Sequence, residues 1–451
     1  MAKELFGTDG IRGIPGEYPL DDSTLDRVGL ALGNYLLLEG RTRGENSSVL
    51  IGRDTRESGP HIVERIASGL AAGGSKPVSA GVLTTPGVAW LVNREGFAAG
   101  VVISASHNPY HDNGVKLISS TGMKFPDAVE AELEKYVLAS RDPISAEKVL
   151  HLHDNEKIDD DYLAGLASAV LPGANLAGMK IVLDCANGAA SKLAPRLFRS
   201  LGADAIAMNH TPDGRNINAH CGSLHPEGMQ KRVVESDAVL GVAFDGDADR
   251  AIFCSASGKL VDGDGVLLVV ARYLKSAGKL KGSVVVGTTM ANLGLERALE
   301  SSGLKLARTA VGDRYVLEEM QRIGANFGGE QSGHVLFLDD ATTGDGMLTA
   351  LKMASIISIV GPLDSLLADL KIFPQKIVNV RVRSKPPLDS LPQVGGVLHE
   401  AEKALGNSGR VVLRYSGTEP LARVMVEAER DEDVRHWSDS LASALRSAIG
   451  A

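Results

Sequence analysis

Cysteine is scarce in this 451-residue chain: Cys185, Cys221 and Cys254 are the full complement. Three scattered cysteines are too few for a disulfide framework or a cysteine zinc site, and they fit a reducing, cytoplasmic setting. Long apolar runs are missing as well. Stretches such as Val266–Ala271 and Ile356–Val360 fall far short of the roughly 20 residues a spanning helix needs. Met1–Arg12 holds no apolar signal core, so no membrane association is expected. Basic charge is in the minority, with 47 Lys and Arg against 56 Asp and Glu and a formal net charge of −9. With no long Lys/Arg run, general nucleic-acid binding is not expected either. Short-period repeats and low-complexity tracts are absent, and the 51 glycines follow no Gly-X-Y period, which excludes a collagen-like fibre. What remains is ordinary globular composition, 44% hydrophobic and 23% charged. At roughly 150 residues per domain the length suits about three domains, or four small ones.

The coarse pattern alternates strand and helix, which argues an α/β fold. Ser48–Gly52 reads as a strand ending in the polar loop Arg53–Arg56, and a helix follows from about Pro60 with Ser58 as its N-cap. Phe97–Ile103 reads as a strand that stops at Ser104-Ala105-Ser106-His107-Asn108-Pro109. A second unit begins near Lys180, with a strand over Ile181–Leu183 and a helix carrying Leu193, Leu197 and Leu201. Its apolar run Ala238–Phe244 leads straight into Asp245-Gly246-Asp247-Ala248-Asp249-Arg250. A third unit places Val284–Gly287 before a helix at Leu293–Leu299, and Asn326–Gly328 before Gly329-Glu330-Gln331-Ser332-Gly333-His334. The last stretch differs: strands at Val378–Val382, Val411–Arg414 and Leu421–Ala428, then a helix over Asp431–Ile449, suggest an α+β unit. Ala139–Glu156 and the segments around Phe373 and Arg383–Leu388 read as linkers.

Polar residues at the carboxyl end of a buried strand are where open α/β sheets place ligands. Asp245, Asp247 and Asp249 occupy such a place. Three carboxylates at alternate positions repel one another unless a cation sits among them, and an all-oxygen set favours a hard ion such as Mg²⁺. A calcium EF-hand would need Gly at position six and Glu at position twelve; Arg250 and Ala256 stand there instead. The competing reading is a solvated acidic turn. Ser106 lies outside any Gly-x-Ser-x-Gly elbow, so its hydroxyl suits a nucleophile or phosphoryl carrier better than a hydrolase serine, with a turn serine as the alternative. Arg414-Tyr415-Ser416-Gly417-Thr418-Glu419-Pro420 with Arg423 offers guanidinium, hydroxyl and backbone N–H donors, a phosphate cradle or else a polar hairpin turn. Glu330 and Ser332, two apart, face one side of an extended loop and suit vicinal sugar hydroxyls. Gly7–Gly13, with Asp9 and Arg12, reads as a glycine-rich loop pressed against a ligand, with an ordinary flexible start as the alternative.

Together and in this order the motifs resemble those of the α-D-phosphohexomutase superfamily over nearly the whole chain. Gly7–Gly13 is similar to the family's amino-terminal loop, Ser104–Pro109 to its phosphoserine loop, Asp245–Arg250 to its metal loop, Gly329–His334 to its sugar loop and Arg414–Pro420 to its phosphate loop. Gln331 resembles the residue of the branch acting on glucosamine phosphates. The resemblance implies three similar α/β domains with mixed sheets and a C-terminal α+β domain around a deep central cleft, at about residues 1–154, 155–255, 256–371 and 372–451. It implies interconversion of glucosamine 6-phosphate and glucosamine 1-phosphate through a phosphorylated Ser106 and a 1,6-bisphosphate. Action on mannose or glucose phosphates is the alternative in the same superfamily. Mg²⁺ would be held by Ser106, Asp245, Asp247 and Asp249. The sugar phosphate would meet Arg53, Arg250, Arg314, Glu330, Ser332, His334, Arg414, Ser416, Gly417, Thr418 and Arg423. His107, Lys116 and Arg12 are candidates for handling the proton. A homodimer is a family-level expectation. A second class is a phosphatase or kinase using the aspartates directly, with Asp245 as an aspartyl phosphatase's nucleophile. A non-catalytic sugar-phosphate sensor on the same scaffold would be expected to lose Ser106 or an aspartate, and this chain keeps them all.

Overall fold

The computed structural model describes residues 4–7, 10–39, 47–139, 149–155, 157–416 and 420–451. Its first sheet contains β1 (Ile11–Gly13), β2 (Ser48–Arg53), β3 (Lys76–Val82), β4 (Ala99–Ile103) and β5 (Asn113–Ser119). The second contains β6 (Lys180–Asp184), β7 (Asp204–Met208), β8 (Leu240–Phe244), β9 (Ala251–Ser255) and β10 (Leu260–Val261). The third contains β11 (Val284–Thr288), β12 (Lys305–Thr309), β13 (Phe327–Gly329) and β14 (Val335–Phe337). The last is an antiparallel sheet of β15 (Gln375–Arg381), β16 (Gly409–Tyr415) and β17 (Leu421–Ala428), in the order β15-β17-β16.

The first three sheets share one topology. A first strand (β2, β6, β11) is flanked on its two sides by parallel partners, β3 and β4, β7 and β8, β12 and β13. A fourth strand (β5, β9, β14) then returns antiparallel to the second of those partners. The alternation of strand and helix read in the sequence is therefore a common wiring of three units. β4 and β8 are buried along their whole length, which is why they read as unbroken apolar runs. At the carboxyl end of each first strand a side-chain oxygen turns the chain by accepting the N–H two residues on. Asp54 takes Arg56 at 3.0 Å, Asp184 takes Ala186 at 3.0 Å and Thr288 takes Met290 at 3.2 Å.

One apolar core runs from Leu50 through the second and third sheets to Leu367. A second core lies under the other face of the first sheet, against the helices Asp22–Leu38, Gly59–Ala72 and Asp127–Ala139. The last sheet has a core of its own, from Val380 to Ile449. Three α/β units are thus fused through shared apolar packing, and the fourth is separate.

The structure departs from the sequence reading in detail. Ser58 stands at the start of its helix but makes no side-chain cap there; its hydroxyl accepts from Asn113 at 2.9 Å. Strands β4 and β8 begin at Ala99 and Leu240, two residues later than the apolar runs suggest, because those runs open in the preceding turns. β10 pairs with β9, so the second sheet extends past residue 255, where the sequence reading divides the units. The linker Ala139–Glu156 falls largely outside the described residues, although Asp154 packs back on the first unit through Ser79 (2.6 Å) and Arg53 (3.1 Å). No described helix is long and apolar enough to cross a membrane.

Tyr162, on the helix Ile158–Ser168, ties these units together. It is fully buried and packs on Trp90 of the helix Thr85–Glu95. Its hydroxyl donates to Asp345 Oδ2 at 2.7 Å, and Asp345 Oδ1 caps the helix Gly346–Val360 through Leu348 N–H at 2.9 Å. Tyr162→Phe strips a buried carboxylate oxygen of its donor and is expected to destabilise the protein by about 1–3 kcal/mol. A urea titration checks this; an unchanged midpoint would contradict the contact.

Candidate active site

A buried polar cluster sits where the strand-to-strand turns of the three α/β units meet. Ser106 follows β4 with φ 50°, in the left-handed region that non-glycine residues seldom adopt. Such a conformation persists only when its surroundings dictate it. Here Ser106 N–H donates to Ser104 Oγ at 2.9 Å, and Ser104 Oγ donates to Asp54 Oδ2 at 2.6 Å. Arg56 is buried and bonds the same Asp54 through Nε at 2.9 Å. Its guanidinium then gathers the carbonyls of Ser106 (3.1 Å), Asn108 (2.8 Å), Asp112 (2.8 Å) and Pro109. Asn218 reaches over from the second unit to the Ser106 and Asn108 carbonyls at 2.9 and 3.0 Å.

Ser106 Oγ donates to Asp245 Oδ2 at 2.6 Å, across 139 residues of chain. Asp245, Asp247 and Asp249 are all buried, and one carboxylate oxygen from each lies within 4.8 Å of the others. Thr85 Oγ1 (2.6 Å) and Lys116 Nζ (3.0 Å) donate to Asp247 Oδ2. Lys116, Arg250 and His334 each stand 3.7 Å from Asp249. Burial, then Asp249 and Asp247, pushes the Asp245 carboxyl well above the usual range. Burial would do the same to Asp249, but Lys116, His334 and Arg250 hold it well below. Asp247 Oδ1 and Asp249 Oδ1 are buried without a hydrogen-bond partner. Orphaned carboxylate oxygens converging in a buried space are what a hard cation satisfies, so this donor set fits a divalent metal.

The other expected residues divide. Arg12 NH1 lies 3.4 Å from Asn108 Oδ1, beside the serine loop, although Asp9 is outside the described residues. His107 Nδ1 is 3.3 Å from both Ser106 Oγ and Arg250 NH1, and burial followed by the charges of Arg250 and Arg12 keeps its imidazole below the usual value. His334 Nδ1 stands 3.7 Å from Asp249 and its Nε2 3.2 Å from Gly344 N; burial works against its charge, but Asp249 outweighs burial and raises the imidazole to about 9. Glu330 Oε1 accepts Gly312 N–H at 3.0 Å. The loop carrying it is not extended. Gly333 N–H returns to Glu330 O at 3.0 Å, making a tight β13–β14 turn with Ser332 exposed at its tip. The φ of 92° at Gly333 permits that turn, which alternation in the sequence did not reveal.

Arg414 and Arg423 are register partners on β16 and β17. Burial and the facing Arg423 both work against charge on Arg414, a pairing that an anion would relieve. Ser416 is buried, and its carbonyl accepts Lys385 Nζ at 2.6 Å. Gly417 and Thr418 lie outside the described residues. Arg53 pairs with Asp154, and Arg314 pairs with Glu318 (2.7 Å) and Asp127, so neither is joined to the cluster by these bonds. Asp54, Arg56, Thr85, Asn218 and Lys385 escaped the sequence reading. The pair Asp54/Arg56 had a signal, a two-residue spacing at the end of a buried strand; Asn218 had none.

Four connected α/β and α+β units with this cluster define a phosphohexomutase. Models of the phosphoglucomutase/phosphomannomutase α/β/α domains I, II and III match residues 3–143, 160–258 and 262–373, and that of the C-terminal domain matches 377–444. The chain belongs to this family. It is 52% identical over 451 residues, covering both chains fully, to a protein of Solibacter usitatus named phosphoglucosamine mutase. Its fold matches a phosphoglucomutase/phosphomannomutase family protein of Burkholderia thailandensis, with TM-score 0.80, 24% identity and 99% of each chain covered. It also matches an Aspergillus fumigatus N-acetylphosphoglucosamine mutase in complex with GlcNAc-6P and magnesium. There the TM-score is 0.69 at 19% identity, over 100% of this chain and 96% of that one.

Arg56→Lys keeps a positive charge beside Asp54 but cannot gather four carbonyls. The serine loop is expected to shift, lowering kcat by about 10²-fold with a smaller effect on the unfolding midpoint. Equal kcat in the variant would show that Arg56 does not position Ser106.

Proposed function

We infer that this chain interconverts glucosamine 6-phosphate and glucosamine 1-phosphate as an intramolecular phosphotransferase. End-to-end kinship with proteins named phosphoglucosamine mutase supports the substrate. The observation that carries the chemistry is Ser106 Oγ, held 2.6 Å from Asp245 inside the acidic triad.

Ser106 carries the phosphoryl group as an ester between turnovers. The substrate's own phosphate rests between Arg414 and Arg423, with Ser416, Gly417 and Thr418 completing the cradle, and Glu330, Ser332 and His334 read the sugar hydroxyls. Arg12, Arg53, Arg250 and Arg314 are the remaining cations proposed for the substrate. For Arg53 and Arg314 that role requires release from their present ion pairs. The free anomeric oxygen forms a bond to phosphorus as the Ser106 Oγ–P bond breaks, giving the 1,6-bisphosphate. The proton of the anomeric hydroxyl passes through His107 to Oγ, which then resumes its hydrogen bond to Asp245. The bisphosphate turns end for end, the 6-phosphate passes back to Ser106, and glucosamine 1-phosphate leaves. Glu330 and Ser332 suit this because vicinal hydroxyls look alike from either end. Mg²⁺ would be held by Asp245, Asp247 and Asp249 beside Ser106, and when bound would neutralise charge on the phosphoryl oxygens.

Of the proton-handling candidates, Lys116 is tied to two carboxylates and acts as their counter-charge. Arg12 is permanently charged. His107 is the group kept neutral near neutral pH, and it faces the reacting oxygen.

Purified protein is expected to weigh one phosphoryl group more than its sequence, and Ser106→Ala to lose both that mass and the mutase activity by at least about 10³-fold. Glucose or mannose phosphates reacting as fast as glucosamine phosphates would refute the substrate assignment. Mg²⁺ is expected to raise the melting temperature, since a ligand at 100 times its Kd stabilises by about 2.7 kcal/mol. Differential scanning calorimetry of Asp247→Asn should show most of that rise gone.

A further inference from the structure

Asp262 and Asp264 take no part in the chemistry above. Asp262 caps the helix Gly263–Ser276, accepting Asp264 N–H at 3.1 Å and Gly265 N–H at 3.3 Å. Asp264 is fully buried, and its Oδ2 accepts Asn292 N–H at 2.7 Å and Gln331 Nε2 at 3.3 Å. Gln331 lies between Glu330 and Ser332, yet its amide points back into the protein rather than outward with Ser332. The backbone of the same turn is seated on the start of the helix. Gly263 N–H donates to Gln331 O at 3.0 Å, and a Cβ on Gly263 would stand 1.9 Å from Glu330 O.

On the far side of Asp264 is the joint to the C-terminal unit. Asn292 caps the helix Leu293–Ser301 through Gly294 N–H at 2.9 Å. It also clasps Phe373, at the head of the last unit, by two bonds of 3.0 Å. The next amide, Leu293 N–H, donates to Glu427 Oε1 at 2.8 Å, and Glu427 Oε2 accepts Arg410 Nε at 2.6 Å. Arg410 donates back to Thr289 O at 2.9 Å and Ala291 O at 2.6 Å. Glu427 is fully buried on β17, the strand that also carries Arg423.

We propose that Gln331 and Asp264 are positioning residues: a strut that couples the sugar-reading turn to the polar joint from which the phosphate-binding unit hangs. The strut rests on the assignment of Glu330–His334 to the sugar. It gives Gln331 a mechanical role: any influence of this residue on sugar choice passes through the placement of Glu330, not through a contact with the amino group. A displacement of the turn by a bound sugar is transmitted through Asp264 to Asn292, and from there to the clasp on Phe373 and to Glu427.

Gln331→Met keeps the length of the side chain and removes the donor. Amide hydrogen exchange of the full-length variant is expected to speed up by up to about tenfold over residues 292–294 and at Phe373. KM for glucosamine 6-phosphate should rise more than kcat falls. Ser332→Ala, at the exposed tip of the same turn, leaves the Gln331–Asp264 bond in place and should exchange at 292–294 at the wild-type rate. Exchange at 292–294 unchanged in Gln331→Met, or sped up equally in Ser332→Ala, overturns the strut. Exchange is read whether or not the protein turns over sugar. A wild-type protein inactive on glucosamine 6-phosphate would therefore sink the substrate reading alone and leave the strut to be judged by exchange.

Discussion

Three carboxylates kept out of water within 4.8 Å of one another are the constraint around which this molecule is organised. Their mutual repulsion grows as water is excluded, so the fold must supply opposite charge from fixed directions. It does so from every α/β unit. Lys116 comes from β5 of the first, Arg250 follows the triad itself in the second, and His334 precedes β14 in the third. These cations offset the cluster without filling it, since buried oxygens of Asp247 and Asp249 stay without hydrogen-bond partners. The result suits a divalent ion and a phosphoryl group arriving together, one bringing positive charge and the other taking part of it.

Repetition of one topology explains how distant segments reach that point. In each of the first three units the turn between the third and fourth strands of the repeat emerges at the carboxyl end of parallel strands, where backbone dipoles and open loops favour ligand contacts. Each of these turns contains a residue of positive φ: Ser106, Ala248 and Gly333. Shared apolar packing from Leu50 to Leu367 holds the three units in one arrangement. The 2.6 Å contact between Ser106 and Asp245 is thus a property of the whole body and not of either loop.

Much of this was legible from residues because strand and loop are written locally. β17 and the helix Asp431–Ile449 have the bounds their apolar patterns suggest, and the serine, acid and sugar loops follow buried strands as expected. What stayed hidden is non-local. Asn218 reaches the Ser106 carbonyl across 112 residues, and no spacing rule announces such a partner. Ser332 was placed beside Glu330 on the assumption of an extended chain, but the hydrogen bond from Gly333 N–H to Glu330 O closes a turn instead. Arg314 illustrates the opposite limit: its residue type suits phosphate, yet Asp127 and Glu318 occupy it. A sequence names the donors available, and only packing decides which acceptor each one meets.

The separate core of the last unit matters for the proposed reaction, whose intermediate turns end for end. Rotation of a bisphosphate needs room that a closed site does not offer, and the unit proposed to hold phosphate is the one not fused to the others by apolar packing. Its joint is polar instead: Arg410, Glu427, Asn292 and Arg297 exchange hydrogen bonds with backbone carbonyls and amides across it. Polar contacts of this kind can be replaced by water as the joint opens, whereas exposing a continuous apolar face would cost in proportion to its area. Rigid packing around Ser106 and the acidic triad, and a hydratable joint to the unit proposed to grip the sugar phosphate, are two answers to two demands of the proposed reaction.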